Sequence, residues 1–332
     1  MEFIGSGRLE VRITPLDVGK RVSIRRLVDM ATESPTFTDV VGVLTSWDNG
    51  VLLITRKTGE TVGVPEESLV AGKVVPAAPA RRRGPATDFA ELTRVTARAW
   101  QPVESEPLGE WRLRAAAGFT RRANSALPTG DPGVPLSEAL AQVNDWYRAR
   151  DLPPYVQAAT GAAGTQEELA AELAARGWRR EVSADVRIAG LAPVADLDAD
   201  VDRVTLARSF DEAWLRRYQR SGEAGAHVLK VLGSGPSVWF ASVSGGGDVP
   251  AAIGRCVVDG RWAGFMAVEV DPAHRRQGLA TAVMAALARR ALTEGASAAW
   301  LQVETDNEGA RALYRGMGFE THHSYHHFRP GP

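Results

Sequence analysis

Among the 332 residues there is one cysteine, Cys256. A single thiol excludes an internal disulfide and any multi-cysteine metal site, and it suits a reducing compartment, so a cytosolic protein is expected. Long apolar runs are also missing. No stretch reaches the roughly 18 to 20 residues of a membrane span, and the N-terminal MEFIGSGRLEVRITP has no basic flank ahead of an apolar core. Neither sign of charge is in excess. With 39 basic and 40 acidic residues the formal charge is -1, so the overall field favours neither nucleic acid nor an anionic membrane, and only a local patch would hold a small polyanion. The nine tryptophans are scattered, which suits packing better than a stacking platform.

What is present is length enough for two or three domains. Residues 1–76 read as a small SH3-like β-barrel. Val40-Val41-Gly42-Val43-Leu44, Val51-Leu52-Leu53-Ile54-Thr55 and Thr61-Val62-Gly63-Val64-Pro65 are short branched-residue runs, separated by the turn signals Asp48-Asn49-Gly50 and Lys57-Thr58-Gly59. The prolines and arginines of PAAPARRRGPA then mark a boundary, with the linker over 77–86. A solvated linker is the plain reading of Arg81 to Arg83, and an RNA contact is the alternative.

From residue 87 the pattern becomes α/β and runs twice, as 87–190 and 191–332. Each copy has the order strand, helix, strand with an internal glutamine, helix, glycine-aromatic, strand. Gln157 corresponds to Gln302, and Gly177-Trp178 to Gly318-Phe319. In the first copy GFTRRANSAL (118–127) is expected to be the strand ahead of the loop. Polar Arg122 and Asn124 within it either join the interface between copies or reach the acceptor cleft.

The copies differ most in the loop between that strand and the next helix. After the strand ending at Val270 the second copy reads HRRQGLATAV (274–283), placing two arginines and a glycine where a helix must begin. The first turn of a helix leaves N–H groups without intrahelical partners, and its dipole favours negative charge, so a bare start is a cradle for phosphates. Gly278 and Ala280 keep side chains out of the way, and Arg275 and Arg276 add charge. The first copy has PTGDPGVPLSEA instead, with Asp131, two prolines and no basic residue, which would repel a phosphate.

Arg275-Arg276-Gln277-Gly278-Leu279-Ala280 is similar to the Arg/Gln-x-x-Gly-x-Gly/Ala signature of the GNAT superfamily of acyl-CoA-dependent N-acyltransferases. Downstream, Asn307, Ala310, Leu313, Tyr314, Gly318 and Phe319 resemble the family's Asn-x-x-Ala-x-x-Leu-Tyr-x-x-x-Gly-Phe segment. The resemblance covers about 205–329 and makes residues 87–190 look like a degenerate GNAT domain, with Leu173 where Tyr314 stands. It implies an α/β (α+β) fold with a splayed mixed sheet. It also implies an acetyltransferase that takes acetyl-CoA as cosubstrate and uses no metal.

The residues that the resemblance would assign to acetyl-CoA are Val268, Val270, Arg275, Arg276, Gln277, Gly278, Leu279, Ala280, Thr281, Asn307, Ala310 and Tyr314. Tyr314 would protonate the departing thiolate. Glu269 is the candidate base, with Glu304 as a second and solvent deprotonation as a third possibility. Trp214 and Tyr218, one helical turn apart, either line the acceptor pocket or simply pack.

The tail THHSYHHF raises a metal reading through His322, His323, His326 and His327. No acid or cysteine cluster completes a shell, which leaves a structural or substrate-lining use. The acceptor is expected to be a small-molecule amine or a peptide amine. Two further readings stay open: a non-catalytic acyl-CoA-binding regulator, and an enzyme recruited to protein or RNA through the barrel, for which Trp47 is the candidate anchor unless it is buried in the barrel's own small core.

Overall fold

A computed structural model describes residues 10–29, 36–55, 61–75, 84–218 and 225–331. The chain divides into two compact units, Met1–Arg83 and Gly84–Pro332.

The first unit is a five-stranded antiparallel sheet of β1 (Arg21–Asp29), β2 (Thr36–Asp48), β3 (Val51–Thr55), β4 (Thr61–Pro65) and β5 (Leu69–Val74), in the order β4-β3-β2-β1-β5. Alternation sets its inside: Val22, Ile24, Val40, Leu44, Leu52, Ile54 and Val64 are buried together. Asn49 and Gly50, both at positive φ, make the turn that the Asp-Asn-Gly signal predicts. Trp47 is half-buried and donates its indole N–H to Glu66 at 3.0 Å, so it braces its own sheet. The Lys57-Thr58-Gly59 turn and Arg81 to Arg83 lie outside the described residues.

The second unit begins with α1 (Phe89–Ala99), β6 (Glu104–Leu108), β7 (Trp111–Ala115), β8 (Leu127–Pro128), α2 (Leu136–Arg148), β9 (Val156–Thr160), α3 (Glu167–Ala175) and β10 (Trp178–Gly190). It continues through α4 (Leu191–Ala195), β11 (Val204–Ala207), α5 (Glu212–Arg217), α6 (Ala226–Leu232), β12 (Ser237–Val243), β13 (Ala252–Asp259) and β14 (Trp262–Val270). It ends with α7 (Leu279–Thr293), β15 (Ala298–Glu304), α8 (Glu308–Gly316) and β16 (Glu320–Pro330).

The two sequence halves do not form separate sheets. One eight-stranded sheet runs β11-β12-β13-β14-β15-β10-β16-β9, and β6-β7-β8 form a smaller one. Each half therefore lends its last strand to the other: β10 pairs with β15, and β16 pairs with β9. The glutamine and glycine-aromatic correspondences fall at matching places in this arrangement. Leu173, the counterpart of Tyr314, is fully buried on α3.

One expected strand is absent. Residues 118–126 form a turn and a short 3-10 segment (Arg121–Ala123), leaving only Leu127–Pro128 as β8. The cause is Asn124. Its amide oxygen accepts the backbone N–H groups of Ala116 and Gly118 at 2.8 and 3.0 Å, and its nitrogen donates to the carbonyls of Phe119 and Thr120 at 2.9 and 2.8 Å. A side chain that satisfies four backbone groups competes directly with a strand ladder.

At the centre, β14 and β15 are parallel neighbours only from Trp262↔Ala298 to Phe265↔Leu301. Beyond that point they part. At the root of the fork the Trp300 ring covers Gly264, where an added Cβ would lie 2.3 Å from it. On the outer edge the register against β13 shifts between Ile253 and Arg255, and Ala267 adopts φ 51°. This bulge bends β14 away from β15 while β15 stays paired with β10.

Candidate active site

The fork opens a cavity of about 660 Å³ through the sheet. Two cores meet there. Phe265, Val268, Val303, Ala310 and Tyr314 belong to the core packed by α4, α7 and α8. Met266, Ala267, Ala184, Tyr218 and Tyr325 belong to the core packed by α1, α5 and α6. All ten line the opening. Glu269 sits between Val268 and Val270 and so faces away from the α7 side, as Glu304 does after Val303.

On the α7 side the helix starts bare. Gly278 is its N-cap at φ 75° with no side-chain cap, and the first internal bond runs from the Ala282 N–H to the Gly278 carbonyl at 3.0 Å. The N–H groups of Leu279, Ala280 and Thr281 donate to no group among the described residues. A Cβ on Gly278 would meet nothing within 4 Å, so the left-handed backbone, more than crowding, demands glycine there. Arg275, Arg276 and Gln277 are exposed at the mouth, and Arg276 also has positive φ. Asp271 fixes the approach by accepting the Ala273 N–H at 2.8 Å and pairing with Arg217.

The corresponding loop of the first half is built differently: Asp131 accepts the Gly133 N–H at 2.7 Å, its own N–H donates to Glu110 at 2.7 Å, and Pro135 occupies the N-cap position of α2.

Tyr314, on α8, is half-buried against Phe319, with ring centroids 6.1 Å apart. Burial alone raises its phenol to about 12, and the hydroxyl has no partner among the described residues. It is therefore a protonated donor with nothing yet to donate to. Asn307 spends its side chain as the α8 cap, accepting the Ala310 N–H at 3.1 Å, while both residues line the opening.

The face of the opening away from α7 is roofed by the first half. Thr120, Arg121 and Arg122 line it from the loop that Asn124 folds. Arg122 donates to Gln302 and lies over Trp100, 4.8 Å from the ring. Asn124 itself is buried inside its loop and Trp214 is held by the Ala241 carbonyl at 3.1 Å, so of these aromatic and polar candidates Tyr218 and Arg122 reach the cavity. Arg121 and Thr120 escape a reading of the sequence, because a strand there would alternate them between two faces. The four tail histidines are dispersed. His322 and His323 contact each other, His326 bridges Ser183 and Thr160, and His327 lines the cavity. Among the described residues no three His, Cys, Asp or Glu side chains gather as a metal site, and no helix is long and apolar enough to cross a membrane.

A forked sheet, a bare helix start and the Tyr314 hydroxyl beside the fork define a GNAT acetyltransferase. In fold the second unit is similar to a GCN5-related N-acetyltransferase from Kribbella flavida (TM-score 0.54, 19% identity, 74% of this chain and 98% of that one). It is also similar to a tandem GNAT protein from the clavulanic acid biosynthesis pathway (TM-score 0.50, 16% identity, 63% and 76% covered). The chain belongs to the family described as probable histone acetyltransferase Rv0428c C-terminal, which matches residues 86–328, and residues 16–73 match the Rv0428c N-terminal Sm-like domain. The probable histone acetyltransferase Rv0428c of Mycobacterium tuberculosis is 28% identical over 313 residues, covering 92% of this chain and 93% of the relative. The uncharacterized N-acetyltransferase YobR of Bacillus subtilis is 24% identical over 252 residues, covering 73% and 98%.

Proposed function

We propose that the chain transfers an acetyl group from acetyl-CoA to a primary amine, with the two substrates entering the fork from opposite faces of the sheet. The observation that carries this is Tyr314, a protonated hydroxyl without a partner, beside a fork that opens next to an uncapped helix start.

Acetyl-CoA is a substrate here, and the residues fit it. The N–H groups of Leu279, Ala280 and Thr281 are unspent donors for a pyrophosphate, with Arg275, Arg276 and Gln277 at the mouth. Backbone groups at Val268 and Val270, on the edge that has left β15, suit the amides of the pantetheine arm as an added strand would. Gly278 preserves the loop, Ala310 leaves room, and Asn307 holds α8 in place.

The amine enters on the face of Glu269 and Glu304. One of them, Glu269 by preference, takes the ammonium proton directly or through water. The nitrogen lone pair bonds to the acetyl carbon, the carbon–sulfur bond breaks, and Tyr314 donates to the departing sulfur. A phenol near 12 lies about 3.5 units above a thiol of roughly 8.5, so full transfer alone is uphill by about 5 kcal/mol. Tyr314 therefore acts first as a hydrogen-bond donor to the thiolate, and the transfer is completed by the proton that the nucleophile loses.

Tyr314→Phe tests this reading. We expect kcat to fall by about 10²-fold or more while acetyl-CoA affinity by calorimetry changes little. Unchanged turnover would remove Tyr314 from the mechanism, and acetyl-CoA binding with no CoA release from any amine would favour the non-catalytic regulator. The name of the mycobacterial relative favours a second acceptor class, a protein lysine, with recruitment through the N-terminal unit. A pull-down with residues 1–86 examines that route.

A further inference from the structure

One buried group in the cavity has no part in the transfer just described. His327 is 2% exposed, and neither ring nitrogen has a hydrogen-bond partner among the described residues. A neutral imidazole carries one donor and one acceptor, and leaving both unmade in a desolvated place costs free energy that packing does not return. The ring stands edge-on to Tyr155 and Tyr325, with centroids 6.0 and 5.5 Å away. Adjacent His326 faces the other way and is bonded at both nitrogens, to Ser183 at 2.7 Å and Thr160 at 2.9 Å. The tail thus holds one satisfied histidine and one aimed, unsatisfied, into the cavity.

Its position decides what it can touch. Glu304 lies opposite Ala184, Ala184 opposite Tyr325, and His327 two residues further along β16. With strands about 4.8 Å apart and a rise of about 3.3 Å per residue, the His327 Cα is about 12 Å from that of Glu304. A base must come within roughly 3 Å of the proton that it takes. His327 therefore meets the far end of the acceptor and leaves the reacting nitrogen to the fork.

That end of the cavity is positive. Arg121 and Arg329 share Glu181 at 2.8 and 2.9 Å. Arg114 is buried behind them on Ser125 and Gln157. Three guanidinium groups thus stand against one carboxylate, and Arg122, bonded to Gln302 and lying over the Trp100 ring, reaches in from the fork side close enough to act on the same histidine. Burial, and then the charges of Arg114, Arg121 and Arg122, push His327 down to about 3, so the ring is a neutral N–H donor. The fork end carries Glu269 and Glu304 instead, so the cavity is polarised along its length.

Resting on the reading that the acceptor amine enters this cavity, we infer that the acceptor is a small molecule with an anionic group, carboxylate or phosphate, on the order of 10 Å from its amine. The anion takes an N–H from His327 in the field of Arg121 and Arg122.

The test compares acetyl transfer by the full chain to ω-amino carboxylates and ω-aminoalkyl phosphates of graded length with transfer to matched uncharged alkyl amines and a lysine-rich peptide. We expect an anionic amine of the right length to exceed its neutral match by at least about 10-fold in kcat/KM, as one hydrogen bond to a charged group provides. The better series identifies carboxylate or phosphate. The advantage should be lost in His327→Phe and Arg122→Gln. Equal rates for neutral amines or the basic peptide, or an advantage that survives His327→Phe, would overturn the inference. A second measurement does not depend on turnover: the ring resonances of His327 in the unmutated, 15N-histidine-labelled chain should move saturably with inorganic phosphate or acetate. Unmoved resonances would sink the subsite even with transfer established. Moved resonances without CoA release from any amine would leave the anion site standing and sink the transfer reading instead.

Discussion

Gly278 shows how a single residue can be right for a reason other than the obvious one. A Cβ added there would point into open space, and its φ of 75° is what an L-residue resists. Gly278→Ala should therefore cost about 1 to 2 kcal/mol by urea unfolding and weaken acetyl-CoA binding through a distorted loop, whereas Gly278→Asp should abolish binding by adding charge as well. Equal affinity for all three would separate the loop from the phosphates. Cys256 is buried, and burial raises its thiol to about 12, so the lone cysteine is inert packing. The tail histidines make a stability prediction. Burial is the largest cause in lowering His323 to about 4, His326 to about 4 and His327 to about 3, all below the ordinary 6.5. The unfolded chain then takes up protons first as pH falls. The stabilisation is intact above pH 6.5 and is lost below it, at up to about 4 kcal/mol per pH unit for three protons between roughly pH 6 and 4. Urea melts at pH 7.5, 5.5 and 4.5 would measure this, and His327→Phe should remove about one proton, or 1.4 kcal/mol per unit, from the slope.

At the scale of elements, the loop over 116–124 brings the first half to the cavity at the fork. Asn124→Ala removes four hydrogen bonds and should cost about 2 to 4 kcal/mol. Because the loop carries Arg121 and Arg122, the acceptor KM should rise more than the acetyl-CoA KM, and equal changes in both would argue that the loop only supports the fold. The strand expected there reads plausibly by composition. A pattern of side-chain types does not record that one amide will bind four backbone groups, since those partners are brought close only when the chain turns. In the fork the situation is reversed. Glycine at 264 and the run FMAVEV are visible in sequence, and the parallel neighbour follows from family resemblance. The bulge at Ala267 depends on the register against β13, which no local signal sets.

For the whole molecule, the exchange of last strands makes the halves of the second unit interdependent. Residues 191–332 alone would lack β10 between β15 and β16 and leave β16 without β9, exposing two strand edges in the middle of a sheet. We expect this fragment to aggregate or remain unfolded by circular dichroism, and to recover a folded spectrum when coexpressed with residues 84–190. A fragment that folds alone with full cooperativity would show the exchange to be dispensable. Arg255 reinforces the coupling: fully buried, it donates to the carbonyls of Leu232 at 2.7 Å and Ala99 at 3.1 Å, tying α1 to α6 across the halves.

Sequence alone determined what depends on short-range chemistry: the β-rich first unit, the bare helix start after Val270, the tyrosine seven residues after Asn307, and the loss of both features in the first half. Caps, turns and periodicity act over a few residues, so they are written in order along the chain. The tertiary structure decided which strand of which half fills the gap beside β15, where the fork opens, and that Arg121, Arg122 and His327 share one cavity. Those residues are separated by about two hundred positions, and only long-range pairing, whose register is set by packing of both sheet faces, brings them together.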